Sequence, residues 1–318
     1  MPDVTARADP GPHAVPDERS RPKPGPAQGR HAGRTRRRGR GGFGAAGSGE
    51  LVLRYTLLVL VLLLLVSPFL WQLSTSLKSL HEDIYTETPS FLPQQPTLDN
   101  YAQVTETIPV WSYALNSLIV AVIVVLGNTA GATLAGYALA RLRFRGAKLL
   151  LVGFLSTLVL PGEVTIISQY ITVRGLGLAD TLLGVALPGA IGMLNVLLMR
   201  TAFMAIPQEM DEAAVIDGAT PWQRLIRIGL PNVRGMLSVI TIFAFIGAWD
   251  DFLWPLIVLN DPENFTLTVG LQYLNGTFTN NPRLPAAGTM ISFIPIVILF
   301  ASLQRFFFRG VEEGAIKG

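Results

Sequence analysis

Six apolar runs, each long enough to bridge a lipid bilayer, dominate this chain and leave it few ways to fold. They cover residues 51–73, 113–140, 149–173, 182–200, 236–259 and 286–308. The first is dense in Leu and Val, and at ~1.5 Å per helical residue it exceeds the ~30 Å hydrocarbon layer. A cleaved signal peptide is the competing reading, since basic residues precede it. The run is too long, begins too far into the chain and lacks a small-x-small cleavage site, which makes it a retained anchor. Composition agrees: half of the residues are hydrophobic and 15% are charged, against roughly a quarter charged in soluble domains. The expected fold is an all-α membrane protein with six transmembrane helices.

Charge orients those helices. Residues 1–50 are rich in Pro, Gly and Arg, with RTRRRGRGG at 34–42, and have no apolar periodicity. They read as a disordered basic tail ahead of a six-span domain at 51–318. Arg141, Arg143, Arg145 and Lys148 form a short basic turn after the second run, and Arg200, Arg224, Arg227 and Arg234 flank the segment between the fourth and fifth. Of the 25 Lys and Arg residues, 21 fall on one side of this layout, and Lys78, Arg174 and Arg283 on the other. That bias places both termini in the cytoplasm. The polar stretch 77–112, with prolines at 89, 93, 96 and 109, is then an outer loop, as is 260–285. Within the second run, Gly127, Gly131, Ala135 and Gly136 make a small-residue face for close helix packing. Pro161 and Gly162 are expected to bend the third.

Between the fourth and fifth runs lies the long polar segment IPQEMDEAAVIDGATPWQRLIRIGLP, residues 206–231. Pro207 suits a first helical turn, and Glu209, Asp211 and Glu212 put negative charge at that helix's positive end. Gly218 can end the helix in a left-handed conformation. Thr220 then caps a second helix that starts at Pro221 and runs towards Pro231. The expected product is a helix-glycine-helix elbow whose small residues Ala213, Ala214, Gly218 and Ala219 admit a close partner. By helix chemistry alone, an ordinary amphipathic loop fits equally well.

Several chemistries are absent. The chain has no cysteine, which excludes disulfides, thiolate metal sites and cysteine nucleophiles. Two of its three histidines lie in the tail, leaving little for metal binding or general-base work. No GxxxxGK[ST] phosphate loop, HExxH or GxSxG occurs, so nucleotide hydrolysis belongs to another chain if it is needed at all. The pI near 9.3 is explained by topology-setting charges rather than by nucleic-acid binding.

Glu212-Ala213-Ala214, three residues, Gly218, nine residues, and Ile228-x-Leu230-Pro231 resemble the EAA signature of permease subunits in bacterial binding-protein-dependent ABC importers. The flanking text is similar to the carbohydrate-uptake, maltose-type subgroup, as are PTLDNYAQV at 96–104, LNSLIVA at 115–121, YALARLRFRG at 137–146, FIGAWDDFLWPLIVL at 245–259 and RGVEEGAIKG at 309–318. The resemblance implies a multi-pass protein of the bacterial cytoplasmic membrane that forms half of a translocation pathway for a sugar. It implies a second permease subunit as pore partner, two cytoplasmic ABC ATPase subunits that use ATP and Mg, and an extracytoplasmic sugar-binding protein. No cofactor or metal is expected on this chain. The ATPase-docking residues implied are Glu212, Ala213, Ala214, Asp217, Gly218, Ala219 and Pro231, with Asp217 equally suited to stabilising the turn.

Candidate pathway residues follow from polarity at membrane depth, where carboxylates are costly unless they face water, protein or substrate. Trp249, Asp250, Asp251 and Trp254 fit sugar hydroxyls and ring faces, and fit an interfacial aromatic belt equally well. Glu163 beside Pro161-Gly162 either lines a cavity or satisfies a bent helix. Asn116 and Asn195 are further candidates, with hydrogen bonding between helices as their alternative role. Two other functions remain open at this point: an ion-coupled secondary transporter, which should show paired inverted repeats, and a membrane scaffold or signalling protein.

Overall fold

The computed structural model describes residues 48–84, 90–159, 161–274 and 281–315. The basic tail before residue 48 and the last three residues lie outside the described residues. Those described are helical, apart from turns, extended links and one isolated bridge between Lys78 and Pro96.

The chain divides after Val59. The described part of the first unit is the opening of α1 (Ser48–Ser76), where Arg54 pairs with Glu50 one turn earlier at 2.8 Å. In the second unit the order is α2 (Asp99–Thr107), α3 (Val110–Arg141), α4 (Ala147–Thr157), α5 (Ile166–Gly175), α6 (Leu182–Ala186), α7 (Met193–Met204), α8 (Gln208–Ile216), α9 (Pro221–Arg224), α10 (Leu230–Asn232), α11 (Arg234–Trp249), α12 (Leu253–Val258), α13 (Leu267–Gln272) and α14 (Arg283–Ala315).

Among the described residues, α1, α3 and α14 are long and apolar enough to cross a membrane. Two bent pairs bring the number to five if each counts as one span. The first pair, Ala147–Thr157 with Gly162–Gly175, turns by 100° where the sequence places Pro161 and Gly162, as expected. The second joins the helix after Gly218 to α11 at 82°.

Two runs depart from simple spans. Residues 182–200, read as one span, are broken: α6 stops at Ala186, and α7 begins only at Met193. Pro188, Gly189 and Gly192 fall in the gap, where a missing donor and two flexible backbones end a helix despite the apolar side chains. The fifth run is also interrupted. α11 ends at Trp249, and α12 restarts at Leu253, so Asp250 and Asp251 sit in a helix break.

Long α3 organises the packing. Its small-residue face receives residues 190–200: a Cβ on Gly136 would lie 2.7 Å from the Met199 Cβ and 2.8 Å from the Arg200 backbone N, and one on Gly127 would lie 3.0 Å from the Ala190 carbonyl oxygen. Backbones therefore meet closely there, as glycine faces allow. Two apolar clusters result. One joins Val120 and Val124 of α3 to Phe245, Trp249, Trp254 and Val258. The other joins Ala132 and Tyr137 to Val196, Met199, Phe203, Leu225, Val233 and Ile240, beneath the elbow.

After α1, the described residues 77–84 and 90–98 are tied together by specific contacts. Lys78 is fully buried, 3.7 Å from the Glu82 carboxylate and with its ammonium 5.1 Å from the centre of the Trp71 ring. Glu82 also accepts from Ser90 Oγ at 2.6 Å and from the Gln94 N–H at 3.0 Å. Burial works against its charge, yet these hydrogen bonds and the Lys78 ammonium hold its carboxyl below the ordinary value. Arg283, at the start of α14, donates to the Glu82 carbonyl. Asn100 of α2 donates to the Ser76 and Lys78 carbonyls at 2.9 and 2.8 Å.

Candidate functional site

The elbow is built by local capping rules. α8 ends in a double closure: the Gly218 N–H donates to the Val215 carbonyl at 3.0 Å and the Ala219 N–H to the Ala214 carbonyl at 2.9 Å, with Gly218 at φ +77°. Thr220 caps the next helix reciprocally: its Oγ1 accepts from the Gln223 N–H, and the Gln223 side chain accepts from the Thr220 N–H at 2.8 Å. After one α turn the backbone widens into a π turn over Leu225–Gly229. Pro231 has no N–H and its ring crowds the preceding turn, a sufficient cause for that widening.

Tertiary contacts then fix the elbow on the bundle. Arg224 Nη1 donates to Asp211 Oδ2 at 2.8 Å, tying the arms on either side of Gly218. Arg141, at the end of α3, donates to the carbonyls of Phe203 and Ile206, so a cation closes the negative end of α7. Tyr137 and Phe203 pack edge to face at 5.3 Å. Sequence reasoning foresaw the caps. It missed Asp211–Arg224 and Arg141, having read the arginines as topology signals.

The elbow's outer surface is open. Glu212, Ala213, Asp217 and Gly218 are exposed, Ala214 and Ala219 half-buried, and Pro231 exposed. Among the described residues, the Glu212 carboxylate accepts only from Gln208 Nε2, at 2.7 Å. The same elbow exposes the apolar side chains of Met210, Val215, Trp222 and, at 85%, Ile216.

A second feature lies between α3, α6, α7 and α11: a cavity of about 240 Å³ lined by Val120, Val124, Asn128, Val185, Gly189, Asn195, Phe243, Ala244, Gly247, Ala248, Asp251 and Trp254. It brings together three of the predicted pathway residues, Asn195, Asp251 and Trp254, and adds Asn128. Asn195 Nδ2 donates to Asn128 Oδ1 at 2.9 Å across α7 and α3, while Trp254 is anchored by its indole N–H on the Val185 carbonyl at 3.2 Å. The other candidates lie elsewhere. Trp249 stacks on Phe245 and donates to the Ser292 carbonyl at 3.0 Å. Asp250 is exposed at the end of α11. Asn116 donates to the Glu263 and Phe265 carbonyls at 2.9 and 3.0 Å, holding the segment before α13. Glu163 is exposed in the short helical turn between α4 and α5.

Apolar helices around a small, mostly apolar cavity into which Asn128, Asn195 and Asp251 bring polar groups, with a stiff polar elbow between two of them, are the make-up of a membrane transport subunit. Residues 42–313 match the family of binding-protein-dependent transport system inner membrane components, and the chain belongs to that family. It is 34% identical over 256 residues, 80% of this chain and 92% of the relative, to the diacetylchitobiose uptake system permease protein DasC of Streptomyces coelicolor. The arabinooligosaccharides transport system permease protein AraQ of Halalkalibacterium halodurans is 33% identical, covering 72% of this chain and 82% of its own length. The maltodextrin transport system permease protein MdxG of Bacillus subtilis is 34% identical, covering 70% and 81%. Among solved structures, a chain of a bacterial ABC transporter involved in the import of the acidic polysaccharide alginate superposes with a TM-score of 0.69 at 25% identity, covering 80% of this chain and 95% of that one. The protein is thus a transport permease of the binding-protein-dependent importer class, without an enzymatic step of its own.

Proposed function

We propose that this chain forms half of the transmembrane pathway of an ATP-driven bacterial importer for a sugar or oligosaccharide. It takes its cargo from an external solute-binding protein and its energy from two cytoplasmic ABC ATPase subunits, with a second permease subunit completing the pore. Its relatives' named cargoes are saccharides, which supports that substrate class. In this reading ATP and Mg bind the ATPase subunits, and no cofactor or metal binds here. The chain crosses the cytoplasmic membrane six times with both termini inside. The sixth crossing comes from pairing the broken α6 and α7, and the basic turns at 141–148 and 224–234 set the orientation.

The observation that carries the reading is the exposed apolar crest of Val215, Ile216 and Trp222 on an elbow that caps, a salt bridge and Arg141 make stiff. A rigid, uncovered apolar surface beside an open carboxylate suits a protein partner. Glu212, Ala213, Ala214, Asp217, Gly218 and Ala219 dock the ATPase, and Pro231 sets the bend through which the push reaches α11. The 82° joint makes the elbow and α11 a bell crank: displacement of one arm turns the other. The test is a purified importer carrying Ile216→Asp or Glu212→Ala. ATP turnover stimulated by the sugar-loaded binding protein should fall about tenfold or more, with membrane insertion intact. Wild-type turnover and uptake by both variants overturns the docking assignment.

A further inference from the structure

The end of α3 carries charge that the rest of the chain leaves unanswered. Between Glu106 and Glu163 the sequence has no Asp or Glu, yet Arg141, Arg143, Arg145 and Lys148 all fall inside that stretch. Arg141 donates to the Phe203 and Ile206 carbonyls. Arg143, Arg145 and Lys148 are exposed, and none of them forms an ion pair among the described residues. Arg143 does line a groove with Asp211 and Glu212, but Asp211 pairs with Arg224, and Glu212 accepts from Gln208.

Apolar surface surrounds these cations. Phe144, between Arg143 and Arg145, is 40% exposed. Gly146, at φ +92°, turns the chain from α3 into α4. None of the 11 residues of α4 is buried, and Leu149, Leu150, Val152 and Leu155 keep 46–77% of their surface uncovered. Water alone suits neither an open phenylalanine nor the leucine-rich helix that follows it. A bilayer surface suits both, because apolar side chains enter the acyl region while Arg and Lys reach the headgroups. Three uncompensated cations select anionic headgroups, each basic residue near such a surface being worth about a factor of five in affinity.

We infer that the turn 142–148 is a binding surface for anionic phospholipid headgroups of the cytoplasmic leaflet, and that this lipid contact steadies the elbow. The link to the elbow is short. Arg141, the last residue of α3, holds the carbonyls of Phe203 and Ile206 immediately before Pro207 and α8. A turn fixed to the bilayer therefore fixes the root of the elbow, so that a push on α8 rotates α11 instead of shifting α3 and α7 together. The inference rests on the importer reading for the orientation of the turn and the role of the elbow.

The test uses the assembled importer in nanodiscs of phosphatidylcholine alone, or of phosphatidylcholine and phosphatidylglycerol in equal parts. With Phe144 replaced by benzoylphenylalanine, light should crosslink this chain to phosphatidylglycerol about fivefold or more over phosphatidylcholine in the mixed discs. Arg143→Gln with Arg145→Gln should bring that ratio near one, while Arg143→Lys with Arg145→Lys should keep it. ATP turnover driven by sugar-loaded binding protein should be about fivefold higher in the mixed discs, the low end of ordinary coupling between two sites. The glutamine pair should lose that difference, and Arg227→Gln, an exposed cation of the elbow, should keep it. Equal capture of the two lipids, capture of a protein subunit in their place, or an unchanged ratio in the glutamine pair overturns the lipid surface. Turnover alike in both discs, or a lipid response lost equally in Arg227→Gln, overturns its link to the elbow. An importer that shows no stimulated turnover in either disc overturns the importer reading, and the capture ratio still decides the lipid surface.

Discussion

Arg224 and Asp211, thirteen residues apart on opposite arms of the elbow, form a 2.8 Å ion pair in which the side chains keep only 12% and 18% of their surface. The pair closes the angle that Gly218 opens. Removing one partner leaves the other charge half-buried, between the ~0.5 kcal/mol of an exposed pair and the ~3–5 kcal/mol of a buried one. Asp211→Ala should therefore cost about 2 kcal/mol of local stability. It should also weaken ATP-driven uptake, and the swap of Asp211→Arg with Arg224→Asp should recover part of both. Thermal unfolding and uptake by the three variants check this.

Gly218 acts through its backbone rather than through space. With φ at +77° and open space around it, Gly218→Ala should cost about 1 kcal/mol, and Gly218→Asn less, because Asn enters the left-handed region more readily. Gly218→Val should be worse than either. A ranking of melting temperatures by side-chain size rather than by left-handed preference would contradict the assignment.

Gly136 should respond in the opposite way, through crowding. Gly136→Leu meets the Met199 Cβ and the Arg200 backbone and should cost about 3 kcal/mol or prevent folding. Gly153→Leu, in α4 with nothing within 4 Å, should be neutral or slightly stabilising. Detergent-solubilised yield and thermal midpoint distinguish the two.

Acid should loosen the segment after α1 through Glu82. Its carboxyl is held below the ordinary value near 4.5, so its stabilising contribution is complete above that pH. The contribution is lost as pH falls through the lower folded-state pKa. Hydrogen exchange across 77–97 should be flat from neutral pH to about 5 after correction for intrinsic rates, then rise. Glu82→Gln should exchange faster at neutral pH and show a much weaker rise.

Most of the elbow was legible because its signals are local: Gly218, Thr220 and Pro221 each act within four residues, and the structure uses them as read. The bend at Pro161-Gly162 and the glycine face of α3 were legible for the same reason. The break at 187–192 was not, since average hydropathy hides single Pro and Gly positions inside an apolar run. Asp211–Arg224 and the Arg141 clamp depend on angles between helices, which no short window of sequence carries. The cavity was half legible: Asp251 and Trp254 stand out as polar or aromatic at depth, and Asn195 as an amide.

The most direct measurement of the central claim is uptake in proteoliposomes containing this chain, its second permease, its ATPase and its solute-binding protein. Saccharide accumulation should require internal-face ATP and loaded binding protein, and should persist when ionophores abolish every ion gradient. Accumulation that proceeds without ATP and collapses with an ion gradient would contradict the account.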